Sequence, residues 1–161
     1  MSEEIATTKM LKIYYELQSE YKKKYGNKTV LLMQVGAFYE VYGILHVVSQ
    51  EVHDSPILEI SKLCNLAISH KNKDSVTTYH NIGIGFRDYS LEKYLDILLS
   101  DGWIVPVYNQ DSSSKNTTRS LFKIFTPGST ILNNDIQMTN NVMCTWLEKK
   151  EATMLQPKQT V

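Results

Sequence analysis

The sequence predicts an α/β domain in which helices flank a central mixed β-sheet. Two segments, residues 10–21 and 91–99, carry apolar side chains at the spacing of an amphipathic helix. Short apolar or alternating runs, which are typical of strands, lie between these segments and after the second one. Because helical and extended patterns succeed one another along the chain, we expect the helices to pack on one shared sheet.

The first predicted element is a helix whose N-terminus can be capped by Thr7 or Thr8. Its apolar residues recur every three or four positions and are Met10, Leu11, Tyr14, Leu17 and Tyr21. Three consecutive lysines at residues 22–24 suit the last turn of a helix, and Gly26 suits its end. The run that follows, residues 30–35, is short and apolar and therefore predicts a buried strand.

Glycines frame the next predicted strand. Gly36 breaks the apolar run, residues 38–42 are expected to be extended, and Gly43 is expected to end them. Residues 44–64 show helical spacing that Pro56 interrupts, which predicts two short helices. We then expect a short strand at residues 66–69, a polar loop over 70–79 and an alternating strand at 82–86.

The clearest predicted helix begins after Ser90, a residue type that often caps helices. Gly102 is expected to end this helix, and residues 103–108 are expected to form a strand in which Pro106 favours a sheet edge or a bulge. A turn rich in Ser and Asn, residues 111–118, then leads to a strand at residues 121–125.

The pattern weakens after Leu132, and we expect the domain to comprise residues 1–132. Residues 133–161 are interpreted as a linker and the start of a further domain, with residues 142–147 as one more strand. Because a single strand is not stable alone, its partners are expected outside these 161 residues.

The formal net charge is zero, from 17 Lys+Arg and 17 Asp+Glu, whereas nucleic-acid-binding domains are usually basic. The charge is unevenly distributed, however, because residues 112–132 hold basic side chains and no acidic one. The chain lacks the long apolar run of a membrane-spanning helix and the apolar core of a signal peptide. We therefore expect an intracellular protein with no membrane partner, in which Cys64 and Cys144 are reduced thiols.

Motifs for common catalytic chemistry are weak in this chain. The P-loop pattern is absent, and Gly83-Ile84-Gly85 lacks the third glycine of a dinucleotide-binding fingerprint. Asp54, Glu59 and Lys62 come near the carboxylate-and-lysine set of a metal-dependent nuclease. Pro56 separates the first two, however, and the last two favour a surface ion pair on one helix face. Metal-ligand spacing is also absent among the histidines, which are His46, His53, His70 and His80.

Residues 36–43 carry the most informative pattern in the chain. Because side chains alternate between the two faces of a strand, Phe38, Glu40 and Tyr42 share one face while Tyr39 and Val41 lie on the other. Two interpretations are open from the residues alone. Either Phe38 belongs to the core and Glu40 is a solvated acid at its rim, or the ring and the carboxylate together form a small exposed probe.

The pattern Gly36-Ala37-Phe38-Tyr39-Glu40, set within residues 30–43, resembles the mismatch-reading segment of the MutS family, whose hallmark is G-x-F-Y-E. Tyr14–Leu17 resembles the N-terminal helix of that family. Gly85-Phe86 followed by Leu91–Leu95 resembles its glycine turn and helix, and Arg119–Ser129 resembles its basic strand ending in T-P-G-T. These blocks occur in the family's order across about residues 10–130.

This resemblance implies the N-terminal mismatch-recognition domain of a MutS protein, which is not itself an enzyme. It implies that Phe38 wedges into a mispaired step from the minor groove, that Glu40 hydrogen-bonds the mispaired base, and that the duplex bends. The implied partner is double-stranded DNA with mismatches or small loops. Candidate DNA-binding residues are Gly36, Phe38, Tyr39, Glu40, His70, Lys71 and Arg87, with Lys28, Lys73 and Lys115 as further cations in loops.

Other functions of the family would lie outside this chain. The resemblance implies that ATP and Mg²⁺ bind elsewhere in a longer protein, that dimerisation uses those other domains, and that this chain needs no cofactor. The abundance of Lys and Asn is similar to a divergent branch found in large viruses and some mitochondrial genomes. Common bacterial members have a Pro, an aromatic residue and a His after the Gly-Phe pair, whereas this chain has Arg87, Asp88 and Tyr89. Ala37 stands where an acid is common.

Two alternatives stay open. The fold of such a domain is similar to some nuclease folds, so a metal-dependent nuclease-like domain is one of them. The other is a structural or interaction domain of a MutS homologue that does not read mismatches.

Overall fold

A computed structural model describes residues 8–53, 55–71, 77–111, 117–128, 143 and 145–147. Over these residues it confirms the predicted α/β class, with helices α1 Lys9–Tyr25, α2 Ile57–Cys64 and α3 Leu91–Ser100. The strands are β1 Leu32–Val35, β2 Phe38–His46, β3 Val52–His53, β4 Ser69–His70, β5 Tyr79–Arg87, β6 Val105–Asp111 and β7 Thr118–Phe125. A short 3-10 helix, Asp88–Ser90, joins β5 to α3.

The strands form one mixed sheet, as predicted. Its order is β4-β5-β2-β1-β6-β7, and β3 pairs with the far end of β2. Strands β1 and β6 run parallel, whereas the other neighbouring strands pair antiparallel. The longest strands, β2 and β5, pair over nine residues from Phe38–Arg87 to His46–Tyr79. This ladder determines which side chains of the two strands share a face.

A separate apolar cluster covers each face of the sheet. One cluster packs against α1 and consists of Leu11, Tyr14, Tyr21, Leu31, Met33 and Tyr42. The other packs against α2 and α3, and its members include Tyr39, Val41, Ile57, Ile84, Leu95, Leu98 and Trp103. Successive residues of β2 therefore alternate between two buried environments, as a two-residue period requires.

Helix α1 is attached to the sheet by buried polar contacts as well as by apolar packing. Gln18, which is 1% exposed, donates from Nε2 to the Thr29 carbonyl and accepts the Leu31 N–H at Oε1, both at 2.8 Å. The Tyr14 hydroxyl donates to the Leu31 carbonyl at 3.2 Å. The predicted ends are confirmed, because the Thr8 hydroxyl accepts the Leu11 N–H and the helix stops at Gly26, which has a positive φ of 96°.

The helix expected just after Gly43 is wrong. Strand β2 continues through Gly43 to His46, and β3 then folds back on it. Gly43 does not end the strand; it makes room for α2, since a Cβ there would lie 2.8 Å from Cγ2 of Ile57. The apparent helical spacing was accidental, because Val48 is 81% exposed. The second expected helix is confirmed as α2.

Other boundaries differ from the predictions in smaller ways. Strand β4 is only Ser69–His70, so His70 lies in a strand rather than in the expected loop. Ser90 precedes α3 but makes no side-chain cap hydrogen bond. Pro106 lies in an interior strand, just before a register shift between Val107 and Tyr108, so the bulge was the correct alternative and the edge was not.

The C-terminal region adds little to the fold within the part that the structure describes. Met143 and residues 145–147 lie outside any strand, so the expected last strand is not found there. Cys64 is a free, buried thiol, and burial raises its pKa to about 11, whereas Cys144 lies outside the described residues. Among the described residues, none of the helices is both long and apolar enough to cross a membrane.

We predict that Gln18→Met destabilises the protein strongly. Methionine preserves the shape of the side chain but leaves the Leu31 N–H and the Thr29 carbonyl without their partner in a buried place. Two such groups should lower the free energy of unfolding by about 2–4 kcal/mol, measured by urea denaturation. Ser19→Ala, on the exposed side of the same helix, is the control. A loss for Gln18→Met no greater than that of the control would contradict this role.

Candidate nucleic-acid interface

The hairpin between β1 and β2 turns through only two residues, Gly36 and Ala37. Val35 pairs with Phe38 across this turn, and Gly36 has a φ of 59° while Ala37 does not enter the positive region. Glycine at the first position of a two-residue turn adopts this conformation without steric cost. The predicted importance of Gly36 is thus explained by backbone geometry, and the turn brings Phe38 to the tip of the hairpin.

Two other parts of the chain brace this tip. On one side, the Gly36 N–H donates to Oε1 of Gln110 at 2.9 Å, and Arg119 Nη2 donates to the same oxygen at 3.3 Å. Arg119 also donates from Nε to the Gln34 carbonyl at 2.7 Å. On the other side, the Asp88 N–H donates to the Ala37 carbonyl at 3.0 Å. Hydrogen bonds from β6, β7 and the end of β5 therefore hold the turn in place.

Phe38 is exposed at this tip, with Arg87 beside it. The Phe38 side chain is 37% exposed, and the Arg87 guanidinium lies 4.6 Å from the centre of its ring. The two residues are direct cross-strand partners, which accounts for the stacking, and such a contact contributes about 0.5–1 kcal/mol at an exposed site. The structure thus excludes the interpretation in which Phe38 is an ordinary core residue.

Tyr39 points to the opposite face and is only 5% exposed. Its hydroxyl donates to Oδ1 of Asn109 at 2.7 Å, and its ring lies against Phe86. Burial, and secondarily the charge of Asp88, raises the pKa of Tyr39 above its ordinary value. The structure therefore separates Tyr39 from the other candidate DNA-binding residues of its motif and makes it a core residue.

Glu40 shares a face with Phe38, but its carboxylate is already engaged. The Tyr42 hydroxyl donates to Oε2, and Lys71 Nζ lies 3.2 Å from each carboxylate oxygen. The side chains of Glu40 and Lys71 are 15% and 34% exposed. A tyrosine hydroxyl is already protonated at neutral pH, and burial, followed by the hydrogen bond to Glu40, raises the pKa of Tyr42 further, so the hydroxyl acts as the donor.

Two glycines of β5 form the floor beneath this cluster. A Cβ on Gly83 would lie 2.7 Å from Cε of Lys71, and a Cβ on Gly85 would lie 3.1 Å from Cγ of Glu40. Gly83 pairs with Tyr42 and Gly85 pairs with Glu40, so both glycines are on the same face as the cluster. The Gly-x-Gly pattern of this segment thus provides space for two crossing side chains.

The remaining candidates are dispersed. His70 is exposed in β4, with its ring 6.2 Å from that of His80, and Lys28 lies in an exposed ion pair with Asp101 at 3.0 Å. Lys73, Lys115 and Asp54 lie outside the described residues. Glu59 and Lys62 are exposed on α2, across the sheet from Glu40. Among the residues described, no group of three or more His, Cys, Asp or Glu could hold a metal ion.

Sequence reasoning missed the residues that support the tip and the carboxylate. These are Gln34, Asn109, Gln110, Arg119, Gly83 and Gly85. Strand alternation had placed Tyr42 on the face of Glu40, but not its hydrogen bond to the carboxylate. The only signals available were the basic strand that contains Arg119 and the paired glycines at 83 and 85. Polar contacts between residues 70 or more positions apart, such as Tyr39–Asn109 and Gly36–Gln110, leave no periodic trace in the chain.

Comparisons with known proteins show which family the sequence matches. A family model described as MutS domain I matches residues 8–134. The chain is 25% identical over 145 residues to a DNA mismatch repair protein mutS homologue of Acanthamoeba polyphaga mimivirus, covering 87% of this chain and 12% of that protein. It is 27% identical over 135 residues to a mitochondrial DNA mismatch repair protein mutS homologue of Sarcophyton glaucum, covering 71% and 13%.

A bacterial relative gives a similar result. The chain is 24% identical over 147 residues to the DNA mismatch repair protein MutS of Thermotoga maritima, covering 89% of this chain and 16% of that protein. The match thus spans less than a fifth of the length of each of these relatives. The resemblance seen in the sequence is confirmed.

We predict that Tyr39→Phe lowers the free energy of unfolding by about 1 kcal/mol, because it removes a hydrogen bond to the side chain of Asn109. Tyr89→Phe is the matched control, since Tyr89 is 83% exposed. Chemical denaturation measures both variants, and DNA binding of the folded Tyr39→Phe protein should equal that of the wild type. Equal stability of the two variants, or a selective loss of DNA binding in Tyr39→Phe, would show that Tyr39 is not simply a core residue.

Proposed function

The chain belongs to the MutS domain I family, and on that premise we propose that it recognises mismatched double-stranded DNA. In this proposal Phe38 inserts at the mispaired step from the minor groove, Glu40 hydrogen-bonds the mispaired base, and the duplex bends. The observation that carries the proposal is the position of Phe38. It is an exposed phenylalanine at the tip of a braced two-residue turn, on the same face as a carboxylate.

An exposed ring at a rigid tip suits insertion into a weakened base step. Separating stacked bases costs a few kcal/mol and kinks the duplex. A mispaired step is already poorly stacked, so the cost is lower there than in matched DNA. Because Gln110 and Asp88 hold the turn from two sides, little conformational entropy should be lost on insertion. Arg87, stacked on Phe38, is well placed to contact a phosphate next to the inserted ring.

Glu40 supplies discrimination rather than attraction. A carboxylate near phosphates is repelled, so its approach is favourable only where a base edge offers a hydrogen-bond donor. A matched pair uses its donors internally and leaves the carboxylate unsatisfied. In this proposal two properties distinguish mismatched from matched DNA. The Phe38 ring inserts more easily where stacking is weak, and the Glu40 carboxylate is satisfied only where a base N–H is unpaired.

Attraction to the DNA backbone must come from polar and cationic side chains of this chain and from other parts of a longer protein. Arg87 is exposed beside Phe38, His70 is exposed farther along the sheet, where it pairs with Ile82, and Lys28, Lys73 and Lys115 are further candidates. Because the net charge of the chain is zero, we expect weak binding with a shallow salt dependence. We propose that ATP and Mg²⁺ binding and dimerisation belong to other domains, and that this chain catalyses no reaction.

We predict that Phe38→Ala abolishes the preference for mismatched over matched duplex while leaving the melting temperature nearly unchanged. A ring stacked on a base contributes about 1–3 kcal/mol, whereas a residue 37% exposed contributes little core packing. Phe122→Ala is the matched control, because Phe122 is 57% exposed on the edge strand β7. Fluorescence anisotropy at low salt, with a G·T duplex and its matched counterpart, measures the preference of each variant.

Two outcomes would contradict the proposal. If Phe38→Ala keeps the preference, or if Phe122→Ala loses it equally, then Phe38 does not read the mismatch and a structural or interaction domain is the better account. If the wild-type chain cuts branched or mismatched DNA with Mg²⁺ or Mn²⁺, and Glu59→Gln stops the cutting, then the nuclease-like alternative is correct.

A further inference from the structure

We propose that Lys71 is a positioning residue that aims the Glu40 carboxylate at the base, rather than a phosphate contact. The inference rests on the proposed function and adds which carboxylate oxygen of Glu40 contacts the base. Glu40 Oε1 accepts a hydrogen bond from a base N–H, while Tyr42 and Lys71 hold the carboxylate from behind. The bases recognised by this atom are those that turn an amino or imino N–H toward it.

The first observation is the distribution of contacts over the two carboxylate oxygens. Oε2 accepts from the Tyr42 hydroxyl and also from Lys71, whereas the described contact of Oε1 is with Lys71 alone. A carboxylate oxygen has two acceptor positions, so Oε2 is filled and Oε1 keeps one acceptor position. The carboxylate therefore has one side that is held by the protein and one side that can accept a new donor.

The second observation is that the fold makes room for Lys71 to reach Glu40. The Lys71 side chain crosses the strand β5 directly above Gly83, where a Cβ would lie 2.7 Å from Cε. Its backbone N–H is bonded to the Asn81 carbonyl at 2.8 Å, which fixes where the side chain starts. Lys71 Nζ also lies 5.7 Å from the centre of the Tyr42 ring. An exposed lysine that served only phosphates would need neither the glycine below it nor the ring beside it.

Through these contacts Lys71 orients the carboxylate oxygen of Glu40 that contacts the base. Without Lys71 and Tyr42 the carboxylate could rotate among several rotamers, and ordering it on DNA would cost conformational entropy. With both contacts in place the acceptor is oriented before DNA arrives. Two of the three N–H donors of Lys71 suffice for its contacts with Glu40, so the positioning role does not depend on a contact between Lys71 and a phosphate.

Lys71→Met and Gly83→Ala together separate the two roles. Methionine removes the ammonium group, whereas alanine at residue 83 leaves the ammonium intact but places a methyl group 2.7 Å from Cε of Lys71 and 3.3 Å from Cδ1 of Tyr42, so that the two side chains that hold Glu40 must shift. If Lys71 positions Glu40, both variants should reduce the ratio of mismatched to matched affinity by about tenfold, and matched affinity should stay within about twofold of wild type. Lys62→Met, an exposed lysine on the opposite side of the sheet, is the control and should leave the ratio unchanged. Fluorescence anisotropy with G·T and matched duplexes gives all of these values.

Two other results would contradict the account, and each contradicts a different part of it. If Lys71→Met weakens mismatched and matched binding equally and flattens the salt dependence, while Gly83→Ala binds like wild type, then Lys71 is a phosphate contact and the inference is wrong. If the wild-type chain shows no preference for mismatched DNA, it is the proposed function that fails.

The positioning itself can be tested without DNA. The ¹³C resonance of the Glu40 side-chain carboxyl should shift in both Lys71→Met and Gly83→Ala, and in Tyr42→Phe, but not in Lys62→Met. A carboxyl resonance that is the same in wild type, Lys71→Met and Gly83→Ala would overturn the inference whatever the DNA results are.

Discussion

The two-residue turn at Gly36 and Ala37 is the constraint on which the candidate interface depends. It pairs Val35 with Phe38 and thereby sets the register of β2 against β1, and on its other side Phe38 pairs with Arg87 of β5. Because strand side chains alternate, a slip of one residue would turn Phe38 and Glu40 toward the α2 and α3 side and bring Tyr39 to the other face. The positive φ of Gly36 is what permits so tight a turn, and the exposed ring and the carboxylate follow from it.

The rest of the fold keeps this turn rigid and leaves its tip uncovered. Gln110 and Arg119 hold it from one side and Asp88 from the other, so the hydrogen bonds that fix the tip come from β6, β7 and the residue that follows β5. Helix α1 packs on Tyr42, while Phe38, four residues earlier on the same face of β2, remains exposed. Along this face of β2, the side chains are therefore buried at Tyr42 and exposed at Phe38.

The predictable part of the fold was the part encoded by local patterns. The apolar stripes of α1 and α3, the buried run at β1 and the turn at Gly36 follow from periodicity and glycine chemistry, and the structure confirms them. The stretch after Gly43 was misassigned because the decisive contact is long-range, with Ile57 occupying the space that a side chain at 43 would need. For the same reason the pairing of Glu40 with Lys71, 31 residues apart, could not be inferred. The motif located the site, and only the three-dimensional arrangement distinguished an exposed Phe38 from a buried Tyr39.

The central claim is that the Phe38 ring enters a mispaired step. The most direct measurement is the ¹⁹F spectrum of the chain with 4-fluorophenylalanine at residue 38, recorded with matched and with G·T duplexes at equal saturation, and compared with the same label at residue 122. Stacking between bases should shift the resonance of residue 38 upfield on mismatched DNA alone, because the ring then lies within the ring currents of the bases, and the resonance of residue 122 should stay in place. A label at residue 38 that responds equally to both duplexes, or to neither while the DNA is bound, would contradict the account.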